Sequence, residues 1–393
     1  MEKHSEISGF LDLELESLFN EAFRLLNSRR LVENDENYLF GLRTNPYYRK
    51  ENKFKYEAKY RSDYEKALEL LEKILEIKPL HVFSLEMYAM AKYRLGEGIA
   101  AIETFSKVIE LDPDNADLYY VRGNAGFSSG NLDEAMKDYD QAIKLDPGHI
   151  DSYINRGLLK EQLEDLQSMR ADIMKANELD PNDADSCFYM GYINHLRNED
   201  DAIQYYNRAI ELDPGNLQAY YMRGNLKFTY LEDYQGAIDD FSKAIDIFPE
   251  DVYSYKYRGQ IRFELKDFHG AIQDYTRMIE INPEDFLIYI DRSDVKREIK
   301  DFEGAMDDLS RSLEINSKNP LVYVGLSDLK KDMGDYSGAI ENINKAIDLC
   351  PDDAYLYLNR ALIKEASGDL AGYEEDTSLY YGFESESMQI DET

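Results

Sequence analysis

The sequence predicts an all-α protein that repeats one helix-turn-helix unit about nine to ten times, and two periodic features predict it. Prolines recur at intervals of 33 to 35 residues between Pro79 and Pro351, with Ser317 in one expected position. Small residues recur twelve residues before and ten residues after those positions. A period near 34 indicates one elongated array, although 393 residues could hold two or three ordinary domains.

Three columns of residues carry this period. The proline column is Pro79, Pro113, Pro147, Pro181, Pro214, Pro249, Pro283, Ser317 and Pro351. The small residues before it are Ala67, Ala101, Ala135, Ala202, Ala237, Ala271, Ala305 and Ala339, with Met169 as the exception. The small residues after it are Ala89, Gly123, Gly157, Gly191, Gly224, Gly259, Ser293, Ser327 and Ala361. Small residues let two antiparallel helices approach closely, and a proline ends the second helix.

This pattern resembles the tetratricopeptide repeat (TPR) family, whose 34-residue signature has an aromatic at column 4, small residues at columns 8 and 20, and proline at column 32. Column 4 here is Tyr119, Tyr153, Cys187, Tyr220, Tyr255, Tyr289, Tyr323 and Tyr357. The resemblance implies an α-solenoid with a right-handed superhelix. In each repeat it implies a helix A over columns 1 to 14 and a helix B over columns 18 to 31.

The predicted array covers residues 48–387. Its repeats are 48–81, 82–115, 116–149, 150–183, 184–216, 217–251, 252–285, 286–319, 320–353 and a partial tenth, 354–387. The first is degenerate because Lys55 occupies its small column 8. Residues 1–47 are predicted to form a capping helix and a linker, since apolar residues recur at helical spacing from Leu11 to Leu26 and an end repeat needs a cover. The polar residues 388–393 are predicted to be disordered.

Column 7 holds arginine where the family signature has leucine, and column 23 holds a matching aspartate. The pairs are Arg122 with Asp138, Arg156 with Asp172, Arg223 with Asp240, Arg258 with Asp274, Arg292 with Asp308 and Arg360 with Asp376. The three repeats without the arginine also lack the aspartate. A half-buried ion pair between the two helices explains this joint presence, because an unpaired charge there would cost several kcal/mol. An arginine ladder for phosphate or carboxylate ligands would leave the aspartates unexplained.

In the family, helix A lines the concave face, and ligand contacts come from its columns 2, 5, 6, 9, 12 and 13. The candidate residues are Tyr120, Asn124, Phe127, Asn155, Phe188, Tyr189, Tyr192, Tyr221, Asn225, Phe228, Tyr253, Tyr257 and Phe263. Aromatic rings and amides suit peptide recognition, with Tyr221, Asn225 and Tyr257 near the middle of the array. Packing between repeats is the alternative interpretation for each aromatic.

The charge balance indicates the chemistry of a partner. With 45 Lys and Arg against 79 Asp and Glu, the net charge of −34 disfavours nucleic acid and anionic membranes and favours a partner with basic and apolar residues. Chaperone-binding members of the family hold acidic tails with cations. The best matching window keeps Asn124 and Asn155 but has Tyr120, Asp185 and Tyr189 at the cation positions, so an acidic tail is not expected to bind.

Residues 42–61 are locally basic, with seven Lys or Arg against two Glu, interleaved with five aromatics. A solvated face of the first repeat is the simpler interpretation, a nucleic-acid contact is opposed by the overall charge, and self-association with an acidic surface of a second copy is a further possibility.

Catalytic and cofactor signals are not found in the sequence. The five histidines and two cysteines lack ligand or disulfide spacing, and the glycine pattern at Gly96 follows no strand, so no metal or cofactor is expected. No run of about 18 apolar residues and no secretory segment occurs, and a cytoplasmic location is expected. The sequence therefore predicts a non-enzymatic protein-interaction scaffold. The alternative is an assembly or regulatory subunit that forms homo-oligomers through the array ends.

Overall fold

The computed structural model describes residues 15–26, 52–197 and 201–390, and side chains between 61 and 383 in the two longer ranges. These residues form twenty α-helices and no strand. Helix α1 covers 15–26 and α2 covers Asn52–Ile77. The A helices that follow are α3 Val82–Arg94, α5 Ala116–Ser128, α7 Ile150–Gln162, α9 Ala184–Leu196, α11 Leu217–Thr229, α13 Val252–Glu264, α15 Phe286–Glu298, α17 Pro320–Asp332 and α19 Ala354–Ser367. The B helices are α4 Gly98–Leu111, α6 Leu132–Leu145, α8 Leu166–Leu179, α10 Ala202–Leu212, α12 Tyr234–Ile247, α14 Phe268–Ile281, α16 Phe302–Ile315, α18 Tyr336–Leu349 and α20 Leu370–Ile390.

The helices belong to two compact units, residues 1–222 and 223–393. Within each unit, consecutive helices pack against one another in chain order, and neighbouring A helices also touch, as α5 and α7 do in the first unit and α15 and α17 in the second. The predicted all-α class of stacked helix pairs is confirmed. The right-handed superhelix taken from the family stays a prediction.

The small columns act as the sequence analysis expected, by letting helix A approach helix B. Ala135 is fully buried, and a Cβ added at Gly123 would lie 2.8 Å from the ring of Tyr139. That tyrosine, at column 24, is itself fully buried. The aromatic of helix B therefore fills the space that the glycine of helix A leaves open.

Aspartates cap many of the helices, a feature that the period analysis did not use. Asp267 accepts a hydrogen bond from the backbone N–H of Gly270 at the start of α14, and Asp301 does the same for Gly304 at the start of α16. The same cap recurs at Asp335. A carboxylate at this position accepts a hydrogen bond from a backbone N–H group that has no partner within the helix, and its negative charge is stabilised by the positive end of the helix dipole. Some of the acidic residues of the chain therefore serve to cap helices.

The first predicted repeat departs from the pattern. Residues 48–51 lie outside the described residues, and Asn52–Ile77 forms one continuous helix instead of a helix pair. In later repeats the turn between the helices contains a residue with positive φ, such as Gly130 or Lys266. The equivalent residue here is Ser62, and no glycine or proline lies between residues 52 and 77 to break the helix.

The ends of the array are also helical. Leu15, Ala22 and Leu26 of α1 are buried in a cluster with apolar residues of α2 and α3, and the capping role of residues 1–47 stays a prediction. The rest of residues 1–47 lies outside the described residues. At the other end α20 continues to Ile390, so residues 388–390 are helical rather than disordered. Among the described helices, none has the length and apolar character needed to cross a bilayer.

Candidate functional site

The arginines of column 7 lie on the aspartates of column 23 in the same repeat. Arg258 donates from Nε to Oδ2 of Asp274 at 3.1 Å and from Nη2 to Oδ1 at 2.6 Å. Asp274 is only 2% exposed. This bidentate geometry is the strongest form of a carboxylate hydrogen bond, and it holds helix A to helix B.

The same pairing occurs in the five other repeats that carry both residues, with nitrogen–oxygen distances between 2.5 and 2.9 Å. The pairs are Arg122 with Asp138, Arg156 with Asp172, Arg223 with Asp240, Arg292 with Asp308 and Arg360 with Asp376. All six aspartates are buried.

Each aspartate except Asp138 also receives a second cation, which the sequence analysis missed. It comes from column 11, one helical turn after the arginine: Arg262 donates to Asp274 at 2.8 Å, and Lys296 contacts Asp308 at 2.8 Å. The other column 11 cations are Lys160, Lys227 and Lys364. Gly126 occupies this column in the repeat of Asp138, which therefore has one cation only.

A third contact links neighbouring repeats. Nη1 of Arg258 donates to Oγ of Ser242 on the preceding helix B at 2.9 Å, and Nη1 of Arg156 donates to Asp140 at 2.7 Å. The guanidinium of Arg258 also lies 5.5 Å from the ring centre of Tyr255. Arg258 and Arg156 therefore each join two repeats and have most of their donors occupied, which leaves little for a phosphate or carboxylate ligand.

The electrostatic consequences follow from burial and pairing. Burial alone would raise the pKa of Asp376, but the hydrogen bonds from Arg360 and Lys364 outweigh it and lower that pKa below its ordinary value. The hydrogen bond to Asp138 raises the pKa of Arg122 despite its burial. The aspartate Asp376 and the arginine Arg122 are therefore both held in their charged forms at neutral pH.

The candidate residues on helix A divide into two groups by burial. Phe127, Phe188, Tyr189 and Tyr192 are buried, so the structure places these four in the packing between helices and not on an accessible surface. In α9, nine consecutive residues from Ser186 to Asn194 are buried. A helix buried on all sides gives no amphipathic signal, and for that reason column position alone could not separate packing from binding at this repeat.

Three other candidates form one hydrogen-bonded cluster on the first unit. Nδ2 of Asn155 on α7 donates to Oδ1 of Asn124 at 2.9 Å and to the hydroxyl of Tyr120 at 3.1 Å, both on α5. Tyr139 donates to the same Oδ1 at 2.8 Å. All three candidate side chains are half-buried. We call Tyr120, Asn124 and Asn155 the amide cluster.

The amide cluster keeps two polar groups available for a ligand. Among the described residues, Oδ1 of Asn155 and Nδ2 of Asn124 make no hydrogen bond. One acceptor and one donor on adjacent helices match the N–H and C=O of a peptide group. Asp117 and Asp151, at column 2 of the same two helices, are exposed and add negative charge, and His149 lies 3.0 Å from Oδ1 of Asp117.

The remaining candidates are half-buried and lie near the boundary of the units or in the second unit: Tyr221, Asn225, Phe228, Tyr253, Tyr257 and Phe263. In the second unit, Tyr257 stacks on the buried ring of Phe241 with centroids 5.6 Å apart and lies 6.4 Å from Phe228. Tyr257 is therefore half-buried and packed against two rings, a placement compatible with both packing and binding.

The second unit also carries an acidic group on its A helices. Arg297 on α15 donates to Asp294 at 2.8 Å and to Asp332 of α17 at 2.9 Å. Burial raises the pKa of the neighbouring Asp291 to about 6, with Asp294 adding to the effect. No group of His, Cys, Asp and Glu within the described ranges is arranged to hold a metal ion. Of the basic segment 42–61, only the side chain of Arg61 is described, and it pairs with Glu65 at 2.8 Å.

Comparison with known proteins gives the following matches. The description "TPR repeat" matches residues 91–126, 123–163 and 328–368, and "Tetratricopeptide repeat" matches 150–183, 195–251 and 221–286. No curated protein sequence matches the chain.

Solved structures with a related fold include three of low sequence identity. YrrB, described as a TPR protein with an unusual peptide-binding site, is 23% identical over 47% of this chain and 95% of its own, with a TM-score of 0.41. The APC/C hetero-tetramer Cut9-Hcn1 matches with 17% identity over 92% of this chain and 74% of its own, with a TM-score of 0.48. Yeast Tom70 is 19% identical over 97% of this chain and 97% of its own, with a TM-score of 0.38. Matched over more than half of its length and built from stacked helix pairs of period 34, the chain belongs to the tetratricopeptide repeat family, whose repeats typically mediate interactions between proteins.

Proposed function

We propose that the chain is a non-enzymatic interaction scaffold that binds a segment of a partner protein on the helix A face of its first unit, at the amide cluster. The observation that carries the proposal is the pair of unused amide groups on Asn124 and Asn155, held in place by Tyr120 and Tyr139. A rigid donor and acceptor bind a peptide group without a large ordering cost.

The charges around the amide cluster support a basic segment as the ligand. Asp117 and Asp151 are exposed beside the amide cluster, while the arginines of the same helices, Arg122 and Arg156, are bonded to aspartates of helix B. A Lys or Arg next to the bound peptide group would therefore meet carboxylates and no available guanidinium. Because exposed charges are screened by salt, binding should weaken as salt rises.

An array of synthetic peptides tests this chemistry directly. The intact protein should retain peptides that combine Lys or Arg with apolar residues and should not retain acidic ones. Asn124→Ala combined with Asn155→Ala should weaken retention about tenfold or more, because two hydrogen bonds to the peptide group are lost. Asn131→Ala is the matched control, since Asn131 is exposed at a turn.

A charge change gives a second, independent test. Asp117→Lys combined with Asp151→Lys should shift retention towards acidic peptides while the far-UV helical signal persists. Equal retention by the Asn124 and Asn155 variant and the wild type would exclude the amide cluster as the site. Unchanged peptide preference after the lysine substitutions would exclude the proposed basic ligand.

A further inference from the structure

Helix B of the last repeat exposes a column that is buried or half-buried in the earlier repeats. Column 28 of helix B is buried in three earlier repeats, with Ile109 at 7%, Ile245 at 8% and Ile347 at 8% exposure. It is half-buried in five others, at Ile143, Asn177, Ile210, Ile279 and Leu313. The same column in the last repeat is Tyr381, which is 65% exposed. This residue lies on α20, the last described helix of the second unit.

A second column of helix B also changes in the last repeat. Column 27 is alanine in five earlier repeats, among them Ala244 and Ala346, and this small residue lets the next helix approach. In the last repeat the column holds Tyr380, whose ring lies 5.8 Å from Tyr355 and 5.3 Å from Tyr381. We call Tyr355, Tyr380 and Tyr381 the terminal aromatic face. Clustered tyrosines of this kind are typical of protein-interaction surfaces.

The outer side of α20 is changed in the same direction. Column 26 faces solvent and holds Lys, Arg or Gln in each of the eight preceding repeats: Lys107, Gln141, Lys175, Arg208, Lys243, Arg277, Arg311 and Lys345. The last repeat has Leu379, which is 43% exposed. Loss of the usual surface cation and gain of an exposed apolar side chain make this side of α20 more apolar than the same side of the earlier B helices.

The charge around the terminal aromatic face is negative. Glu365, Asp369, Glu374 and Glu375 are exposed on α19 and α20. The cations of these two helices up to residue 383 are Arg360 and Lys364, and both are bonded to Asp376, at 2.6 and 2.9 Å. A ligand of this face would therefore be basic and would carry apolar or aromatic residues.

We propose that the terminal aromatic face binds the basic segment 42–61 of a second copy of this chain. That segment has seven Lys or Arg, two Glu and five interleaved aromatics in a chain of net charge −34, so its composition complements the acidic aromatic end. Each copy carries both halves of the contact. Such a head-to-tail interface is heterologous, and it generates open chains of copies or closed rings. The inference uses a different surface from the amide cluster and does not rest on the proposed function.

Sedimentation velocity of the intact protein tests the association. Between about 1 and about 100 µM in low salt, the average mass should rise above that of the monomer, and the rise should disappear at about 500 mM salt. Tyr355→Ser with Tyr381→Ser should raise the dissociation constant about tenfold or more. Tyr230→Ser, a change at another exposed tyrosine of the second unit, is the control and should leave association intact.

A charge exchange makes the test specific for the two ends. Lys53→Glu with Lys55→Glu and, separately, Glu374→Lys with Glu375→Lys should each abolish association, because like charges then face each other. An equal mixture of these two variants should associate, since the unchanged acidic face of one variant meets the unchanged basic segment of the other, and the two altered ends also have opposite charges. A monomeric wild type at every concentration, an effect without concentration dependence that indicates contact within one chain, or a mixture that stays monomeric would overturn the proposal.

Discussion

Removing the arginine from two repeats, of which only one has a second cation on its aspartate, should have unequal effects. In the repeat 116–149, Arg122→Leu leaves Asp138 buried without a cation, because Gly126 occupies column 11. In the repeat 252–285, Arg258→Leu leaves Asp274 bonded to Arg262 at 2.8 Å. The two arginines are otherwise placed alike, so the comparison isolates the second cation.

The magnitudes follow from what remains on each aspartate. Stranding a buried carboxylate costs about 3 to 5 kcal/mol, and we expect the lower end for Arg122→Leu because that arginine is partly exposed. Arg258→Leu loses three charge-assisted hydrogen bonds, two to Asp274 and one to Ser242, but Asp274 keeps a compensating cation and the leucine gains apolar burial, so we expect about 1 to 2 kcal/mol. Adding Asp138→Leu to Arg122→Leu should recover most of the loss, since an apolar pair can replace a buried ion pair.

Hydrogen–deuterium exchange read by mass spectrometry suits this measurement, because a repeat array opens locally and a single unfolding free energy is poorly defined. The opening free energy of α6 reports on Arg122, and that of α14 reports on Arg258. A difference near 1.4 kcal/mol appears as about a tenfold change in exchange rate. Equal losses in the two repeats, or a larger loss for Arg258, would refute the role assigned to the second cation.

Two further predictions concern Asp291 and Gly191. Burial raises the pKa of Asp291 to about 6, above the value near 4 in an unfolded chain, so the folded state binds the proton more tightly and gains stability as the pH falls from 7.5 to 5. Asp291→Asn should raise the thermal midpoint at pH 7.5 and reduce this gain; a difference from wild type that is equal at both pH values would contradict it. A Cβ at Gly191 would lie 2.7 Å from the buried ring of Tyr206, so Gly191→Ala should lower the midpoint despite a helix-propensity gain of about 1 kcal/mol, whereas Gly382→Ala, with open space around its Cβ, should not.

The helix pairs and the ion pairs were predictable because each depends on columns of the same repeat. An arginine such as Arg258 cannot be half-buried without a carboxylate nearby, and this requirement appears in the sequence as the joint presence of column 7 and column 23. The cations of column 11, including Arg262 and Lys296, gave an equally regular signal, spaced one helical turn from the arginine. Their role went unrecognised because the arginine alone already balanced the aspartate.

Accessibility on the helix A face was less predictable. Tyr189 and Tyr120 are both aromatic residues of helix A, yet Tyr189 is buried and Tyr120 is half-buried with its hydroxyl bonded to Asn155. Which of them reaches solvent depends on the volume of side chains in the adjacent repeats, and a column pattern within one repeat does not contain that information. The sequence also contained a local sign of the continuous helix α2, because residues 52–77 lack glycine and proline. The prediction of a helix pair in this segment came instead from extending the period of the later repeats.

The ion-pair network changes how the overall charge should be understood. Eleven Lys and Arg from columns 7 and 11 are bonded to six buried aspartates, so the network itself is positive and the remaining surface is more negative than −34 suggests. Cations used in this way are unavailable to an acidic ligand. The same physical argument supports both proposals: the arginines beside the amide cluster and the two cations beside the terminal aromatic face are bonded to buried aspartates, so we propose a basic ligand for each surface. The two proposed sites are different surfaces. A basic peptide bound at the amide cluster should therefore not displace a second copy from the terminal aromatic face when the salt concentration is held constant.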